Sequence, residues 1–184
     1  MRTRFTGCGT ALITPFTPDG ALDEAATRRL ARRQIDAGVH FLVPCGTTGE
    51  APTLSAEERR RVVELVVEEA GGRVPVLAGA DGLLSVTPYY NKPTPEGLFR
   101  HYQAIAEATP LPIVVYNVPG RTGCNVDPLT LVRLASIPHV VGVKEASGNM
   151  TQICETLKAV GPAFLVLSGD DALTLPAMAV GARG

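Results

Sequence analysis

The 184-residue sequence contains few of the residues that mark several common classes of protein. Its four cysteines lie far apart and form no Cys-x-x-Cys pair, so neither a zinc motif nor a redox motif is indicated. We expect them to be reduced and to lie in or near the core. The three histidines are scattered, with no second ligand type at a metal-binding spacing, which disfavours a metal centre. A formal net charge of −1 gives no indication of a polyanionic partner such as nucleic acid.

Long apolar segments and nucleotide-binding motifs are also missing. No stretch approaches the roughly 18 apolar residues of a membrane-spanning helix, and the N-terminus MRTRFTGCGTALITPF lacks the apolar region of a signal peptide. Gly7 and Gly9 lack the third glycine of a dinucleotide-binding motif, and no phosphate-binding G-x-x-x-x-G-K-[ST] loop occurs. These absences predict a cytoplasmic protein with no membrane partner.

The sequence does contain a regular alternation of two patterns. Short apolar runs of the kind found in strands buried on both faces predict strands at 10–14, 40–44, 74–78, 82–88, 112–116, 139–143 and 163–167. Helical segments lie between most of them and begin at Asp23, Ser55, Thr94, Asp127 and Asn149. Asp171 opens a short last helix, which Asp170 and Asp171 are expected to cap. This alternation predicts an α/β protein with a mostly parallel sheet.

The polar residues of greatest chemical interest follow the strands and do not precede them. Five strands run into CGTTGE, YYNKP, NVPGRTG, KEASG and SGDD. In a closed (β/α)8 barrel the carboxyl ends of all strands converge on one mouth, where the active site lies. An open doubly wound sheet would use only the loops at its switch point. The pattern therefore predicts a (β/α)8 TIM barrel.

Lys144 ends one of these strands directly and has two interpretations. In the first, the side chain reaches solvent and pairs with Glu145. In the second, it is a nucleophile that forms a Schiff base with a carbonyl substrate. At the ordinary pKa of about 10.4, roughly one lysine in 2,500 is neutral at pH 7, so the site would have to lower that pKa. An apolar barrel interior does so by disfavouring the charged form.

Other strand-end residues favour the second interpretation. Tyr116 ends the preceding strand and supplies a phenol for proton transfer. Thr47 and Thr48, between glycines, supply hydroxyls and a turn suited to an anion. Arg121 lies in a turn and suits a substrate carboxylate. Tyr90 follows a further strand end, where aromatic packing in a loop is the alternative. Together they indicate carbonyl chemistry on a carboxylated substrate.

Five motifs carry a resemblance to a known family. They are GTTGE (46–50), TPYYNKP (87–93), YNVPGRTG (116–123), GVKEASGN (142–149) and LSGDDA (167–172). In this order they resemble the pyruvate-dependent class I aldolases, and among those the dihydrodipicolinate synthase family. The resemblance implies a lyase that condenses pyruvate with aspartate 4-semialdehyde through a Schiff base, in the biosynthesis of diaminopimelate and lysine.

The resemblance also implies catalytic roles. Lys144 would form the Schiff base with pyruvate. Thr47, Tyr116 and Tyr90 would form a proton relay, with Tyr90 reaching across a tight dimer interface into a neighbouring subunit.

Further implied roles concern substrate binding and assembly. Thr47 and Thr48 would hold the carboxylate of pyruvate. Arg121 would bind the carboxylate of aspartate 4-semialdehyde, and the carbonyl of Gly169 would line the pocket. No metal or organic cofactor is implied, and the complete enzyme would be a homotetramer, a dimer of dimers.

The sequence departs from the family pattern in two places. Only residues 79–81 separate two predicted parallel strands, whereas a parallel crossover needs a dozen or more residues. Read literally, Asp81 and Gly82 predict an antiparallel hairpin, which would reverse every later strand. We expect instead that a segment near 79–80, including the helix after the third strand, is omitted from this sequence; a genuinely shortened product is the alternative. An eighth strand and a C-terminal helical region are also missing, so residues 1–184 form a partial TIM-barrel catalytic domain.

Two other functions stay open at this point. One is a sister pyruvate-dependent aldolase or lyase that acts on another 2-oxo acid. The other is a catalytically silent fragment, because an incomplete barrel exposes apolar faces and unpaired strand edges.

Overall fold

The computed structural model of the chain describes residues 4–78 and 81–184. The chain divides into two compact units, an N-terminal unit that ends at Leu83 and a C-terminal unit, Leu84–Gly184. The strands are β1 Gly9–Ala11, β2 Phe41–Val43, β3 Leu83–Val86, β4 Ile113–Asn117, β5 Val140–Glu145 and β6 Leu165–Ser168. The helices are α1 Glu24–Asp36, α2 Ala56–Ala70, α3 Pro95–Ala108, α4 Pro119–Thr122, α5 Pro128–Ala135, α6 Met150–Val160 and α7 Thr174–Ala179.

Capping side chains set where most helices begin, as predicted. Ser55 and Glu58 form a reciprocal capping box at α2, with each side chain bonded to the other residue's backbone N–H. Asp23, Thr94 and Asp127 likewise accept hydrogen bonds from backbone amides in the first turns of α1, α3 and α5. Asn149 caps α6 in the same way.

The last helical segment begins at Asp171, as predicted. Of the two aspartates predicted to cap it, Asp170 accepts the capping bond, from the amide of Ala172 at 3.0 Å. Asp171 opens a 3₁₀ turn, Asp171–Leu173, that leads into α7. Across the described ranges, no helix combines the length and the hydropathy that crossing a bilayer would demand.

In the N-terminal unit, β1 and β2 pair in parallel, and Leu42 of β2 also bridges in parallel to Val76. Helices α1 and α2 cover this small sheet. The core contains Leu12, Ala31, Leu42, Val66, Ala70 and Val76. Burial of these side chains holds the unit together, since apolar area removed from water contributes about 25 cal/mol per Å².

The antiparallel hairpin that a literal reading of Asp81 and Gly82 gives is not formed. Leu77 and Gly82 bridge in parallel. Asp81 stabilises this bridge through two hydrogen bonds to Val76. Its amide donates to the carbonyl of Val76 at 3.1 Å, and its carboxylate accepts from the amide of Val76 at 3.0 Å. Pairing across the sheet thus outweighs the local turn preference of Asp81 and Gly82. The omitted segment expected near 79–80 lies outside the described residues.

The C-terminal unit contains a sheet in the order β3-β4-β5-β6. The β4–β5 and β5–β6 pairs are parallel, as predicted. Every residue of β4 is buried, and so are most of β5 and β6. The uninterrupted apolar runs therefore correctly predicted buried parallel strands, because both faces of these strands are covered.

The cysteines are only partly where we expected them. All four are free thiols. Cys124 is buried and Cys45 is half-buried, but Cys8 and Cys154 are exposed. The prediction of a core location is wrong for these two, since composition alone cannot tell which face of an element a small side chain occupies.

Candidate active site

Lys144 lies at the carboxyl end of β5 between two strands. It pairs in register with Tyr116 of β4 on one side and with Leu167 of β6 on the other. Its neighbours in β5, Val143 and Glu145, are almost fully buried. Strand β5 therefore places the amine at the carboxyl end of the sheet. The residues of β4 and β6 that were predicted to line the mouth lie at the same end.

Tyr116 is the side chain that meets the amine. The Nζ atom of Lys144 lies 4.4 Å from the centroid of the Tyr116 ring. Tyr116 itself is only 9% exposed. An ammonium at this distance is attracted to the electron-rich ring face, and a neutral amine there is shielded from bulk water. The predicted juxtaposition of Lys144 and Tyr116 is confirmed.

Gly169 lies against the side chain of Lys144. A Cβ atom at this position would come within 2.9 Å of both the Cε atom of Lys144 and the Cβ atom of Ala146. The amide of Gly169 donates to the carbonyl of Glu145 at 2.8 Å, which fixes the loop after β6 beside the end of β5. Because Gly169 has no side chain, the aliphatic part of Lys144 can pack against it.

The electrostatic environment of Lys144 favours the neutral amine. Burial lowers the pKa of Lys144, because the charged form is poorly solvated. The positive charge of Arg121 lowers the same pKa further, whereas the negative charge of Asp171 raises it. We predicted Asp171 only at the start of the last helix; its place two residues after Gly169 in the SGDD motif was the available signal.

Glu145 does not pair with Lys144. Its carboxylate accepts hydrogen bonds from Asn117 at 3.0 Å, from the amide of Ser147 at 2.7 Å and from Gln152 at 3.3 Å. The pairing with Glu145 in the first interpretation of Lys144 is therefore not formed, and the side chain of Lys144 is half-buried and not fully exposed.

Arg121 is held near the amine by the short helix α4. The amides of Arg121 and Thr122 both donate to the carbonyl of Val118, at 2.9 and 3.0 Å. The side chain of Arg121 is exposed, so the guanidinium is free to meet a carboxylate from solvent. Gly123 ends the helix in the left-handed region at φ 66°.

Tyr90 is not brought to Lys144 within one chain. Its side chain is 90% exposed, and its backbone adopts φ 67°, which is uncommon for a residue with a side chain. In the same loop, the side chain of Lys92 lies against Gly123, where an added Cβ would come within 2.8 Å of its Cε atom. The loop therefore presents the ring of Tyr90 outward.

Thr47 and Thr48 belong to the N-terminal unit. Both are exposed, in the turn that follows β2. The amide of Glu50 donates to the carbonyl of Thr47 at 3.1 Å, and the hydroxyl of Thr14 donates to the carbonyl of Gly49 at 2.7 Å. A Cβ at Gly49 would lie 3.0 Å from the carbonyl oxygen of Leu12, so a larger residue would crowd the backbone of this turn.

Comparison with known proteins decides the family. Residues 4–80 and 77–184 match the dihydrodipicolinate synthetase family. The chain belongs to the dihydrodipicolinate synthetase family. The family description accounts for both units, and the two matched segments meet at the residues where the sequence lacks a crossover.

Relatives of this synthetase family are similar along almost the whole chain. The 4-hydroxy-tetrahydrodipicolinate synthase of Koribacter versatilis is 51% identical over 199 residues, which cover 97% of this chain and 66% of that protein. The chain therefore spans about two thirds of that relative's length. The alignment is longer than the chain, so the relative contains positions that have no counterpart here.

Solved structures of the family confirm the fold class. The dihydrodipicolinate synthase from Thermotoga maritima has a TM-score of 0.95 at 43% identity and is covered over 69% of its length by 98% of this chain. The chloride-inhibited enzyme from Acinetobacter baumannii, solved in complex with pyruvate, has a TM-score of 0.95 at 41% identity, with 97% and 68% covered. The fold is α/β and of the (β/α)8-barrel type, as predicted.

Proposed function

We propose that this chain carries the active site of a 4-hydroxy-tetrahydrodipicolinate synthase, which condenses pyruvate with aspartate 4-semialdehyde in lysine and diaminopimelate biosynthesis. The observation that carries this proposal is the amine of Lys144, 4.4 Å from the centroid of the Tyr116 ring. Burial lowers the pKa of that amine, which favours the neutral, nucleophilic form. The names of the relatives point to the same reaction.

The chemistry begins with the neutral amine of Lys144. The amine attacks the ketone carbon of pyruvate, and loss of water from the carbinolamine gives an imine. Removal of a proton from the methyl group gives an enamine, whose carbon attacks the aldehyde of aspartate 4-semialdehyde. The amino group of the semialdehyde then attacks the imine carbon, closes the ring and releases Lys144. Tyr116 would carry protons to and from the imine nitrogen and the hydroxyl that leaves.

Two sets of residues would orient the substrates. Thr47 and Thr48 would hold the carboxylate of pyruvate, and Arg121 would hold that of the semialdehyde by a bidentate contact. The carbonyl of Gly169 would line the pocket beside Lys144. The reaction needs no metal or organic cofactor, since the lysine itself supplies the electron sink as an imine.

Tyr90 would complete the relay with Thr47 and Tyr116 from a second subunit. Its 90% exposure within one chain supports this role, because a ring held outward is available to a partner. We therefore propose a tight dimer, and a homotetramer for the complete enzyme. A cytoplasmic location suits the free cysteines, which persist in reducing compartments.

We also propose that a segment near residues 79–80 is omitted from this sequence. Residues 79–81 are too few for an ordinary crossover between parallel strands, and the bridge between Leu77 and Gly82 is parallel. The two-part family match and the longer alignment with the relative support the same proposal. Peptide mapping of the protein from its native source tests it. A peptide that joins residues 74–78 to 81–88 as written would contradict the omission and favour a shortened product.

A coupled assay tests the proposed reaction against its alternatives. We expect turnover of pyruvate with aspartate 4-semialdehyde and none with sugar-acid substrates. Turnover of the sugar acids alone would assign the chain to a sister lyase. Size-exclusion chromatography and thermal melting of the 184-residue chain identify a silent fragment, which would aggregate or melt without cooperativity.

A further inference from the structure

A buried polar network lies behind Lys144 and Tyr116. The next residues along the two strands, Glu145 and Asn117, also pair in register. Asn117 is 0% exposed and Glu145 is 1% exposed. The Nδ2 atom of Asn117 donates to the Oε2 atom of Glu145 at 3.0 Å. Successive side chains of a strand point to opposite faces, so this bond lies on the face opposite the amine and the phenol.

The carboxylate of Glu145 connects four segments. Its Oε1 atom accepts from the amide of Ser147 at 2.7 Å, which shapes the loop directly after Lys144. Its Oε2 atom accepts from Gln152 of α6 at 3.3 Å. Gln152 exchanges two further hydrogen bonds with Asn125, at 2.8 and 3.1 Å. The network therefore ties the ends of β4 and β5 to the start of α6 and to the loop that follows α4.

Asn117 fixes its own amide orientation within this network. Its Oδ1 atom accepts from the amide of Val126 at 3.0 Å, which leaves Nδ2 directed at Glu145 and at Asn125. A buried carboxylate is costly to desolvate unless such donors satisfy it. Glu145 nevertheless takes no part in the proposed reaction, since its oxygens are engaged on the other face of the sheet.

We propose that Glu145 is a positioning residue, whose bond to Asn117 locks the strand register that holds the amine of Lys144 over the ring of Tyr116. The inference rests on the proposed function, in which Lys144 is the nucleophile. Two backbone bonds depend on the same register: the amide of Ala146 donates to the carbonyl of Asn117 at 2.8 Å, and the amide of Gly169 donates to the carbonyl of Glu145 at 2.8 Å.

The test exchanges the partners of this bond. In Glu145→Gln, an NH₂ group replaces one oxygen and faces either the amide of Ser147 or the donors of Asn117 and Gln152, which leaves a buried donor unpaired. The double variant Asn117→Asp/Glu145→Gln restores a donor–acceptor pair with the roles reversed once the side-chain amides of Asn125 and Gln152 both turn over, which keeps their two mutual hydrogen bonds. Gln152→Met is a milder variant at the edge of the network. Glu155→Gln makes the same chemical change at an exposed position of α6 and is the matched control.

The first readout is the rate of imine formation at saturating pyruvate, measured by borohydride trapping. We expect Glu145→Gln to lower this rate by about ten- to a hundredfold, because a misplacement of about 1 Å can cost that much. The half-saturating concentration of pyruvate should stay nearly constant, since other residues bind the carboxylate. The double variant should recover to within about threefold of the original rate, and Gln152→Met should lose about threefold. Glu155→Gln should behave as the unaltered chain.

The second readout is hydrogen exchange at the amides of Ala146 and Gly169, which needs no pyruvate. We expect faster exchange in Glu145→Gln and recovery in the double variant. If the unaltered chain forms no pyruvate adduct, the proposed function fails, and exchange still decides whether Glu145 locks the register. Unchanged exchange and trapping in folded Glu145→Gln, or a folded double variant that fails to recover, would overturn the inference. If Glu145→Gln does not fold, trapping and hydrogen exchange measured on Gln152→Met test the inference instead.

Discussion

The two units present their strand-end residues in different surroundings. In the C-terminal unit, the amine of Lys144 is shielded by Tyr116 and Gly169, and a buried network backs the strand ends. In the N-terminal unit, Thr47 and Thr48 are exposed on a tight turn after a strand of three residues. The covalent chemistry therefore depends on burial and register, whereas the proposed carboxylate site depends on hydroxyls and amides that solvent already reaches.

This contrast predicts the largest effect for Gly169→Ala. The added Cβ would approach the Cε atom of Lys144 to 2.9 Å and must displace the side chain. We expect imine trapping at saturating pyruvate to fall by about a hundredfold. Gly120→Ala is the control, because a Cβ there meets nothing within 4 Å. Equal trapping by the two variants would show that the amine tolerates displacement.

Removal of the Thr48 hydroxyl in the N-terminal unit should act on binding alone. Thr48→Val deletes a proposed donor to the pyruvate carboxylate and keeps the side-chain shape, whereas Thr47→Val also removes a member of the proposed proton relay and should lower the maximal rate as well. A hydrogen bond to a charged group contributes roughly 1.5–3 kcal/mol, so we expect about a tenfold rise in half-saturating pyruvate. The maximal trapping rate of Thr48→Val should change little.

The control for this pair is Thr53→Val, at an exposed threonine of the same unit whose hydroxyl donates to the carbonyl of Glu50. It should leave pyruvate binding unaltered. A loss of maximal rate in Thr48→Val, with unchanged half-saturation, would contradict the division of roles between the two units.

The pH–rate profile of imine trapping should shift along the pH axis in opposite directions in two variants. The neutral amine reacts, so the rate rises with pH through the pKa of Lys144, which burial lowers. Asp171 raises that pKa, so Asp171→Asn should shift the profile to lower pH. Arg121 lowers it, so Arg121→Gln should shift the profile to higher pH. Shifts in the same direction would show that these charges do not act on the amine.

The smallest effect should come from Ser55→Ala, which removes half of the capping box of α2. Loss of a cap typically costs about 1 kcal/mol, so we expect a lower melting temperature. Trapping by the folded protein should be unchanged, because the cap supports the fold and not the amine. A loss of trapping at temperatures where the variant is folded would contradict that separation.

Local signals explain why much of the fold could be predicted. The caps at Asp23 and Ser55 act within one helical turn, so the sequence contains both partners. Parallel strands bring their carboxyl ends to one sheet edge, and that rule alone placed Lys144 beside Tyr116. The motifs added Gly169, which the structure places against Lys144.

Features that depend on distant partners could not be predicted. Glu145 bonds to Asn117, which is 28 residues away, and no local pattern distinguishes that carboxylate from a solvent-facing one. The parallel bridge at Gly82 depends on pairing within the sheet. The turn preference of Asp81 and Gly82 indicates an antiparallel hairpin instead, so it could not predict this bridge. The influence of Asp171 on Lys144 likewise depends on where the loop after β6 folds.

Borohydride reduction with pyruvate, followed by peptide mapping, tests the central claim most directly. The chain has three lysines, so the adduct can be assigned without ambiguity. We predict a pyruvate adduct on Lys144, none on the exposed Lys158, and loss of the adduct in Lys144→Arg. Folded protein that acquires no adduct, or acquires it only on another lysine, would contradict the claim that Lys144 is the nucleophile.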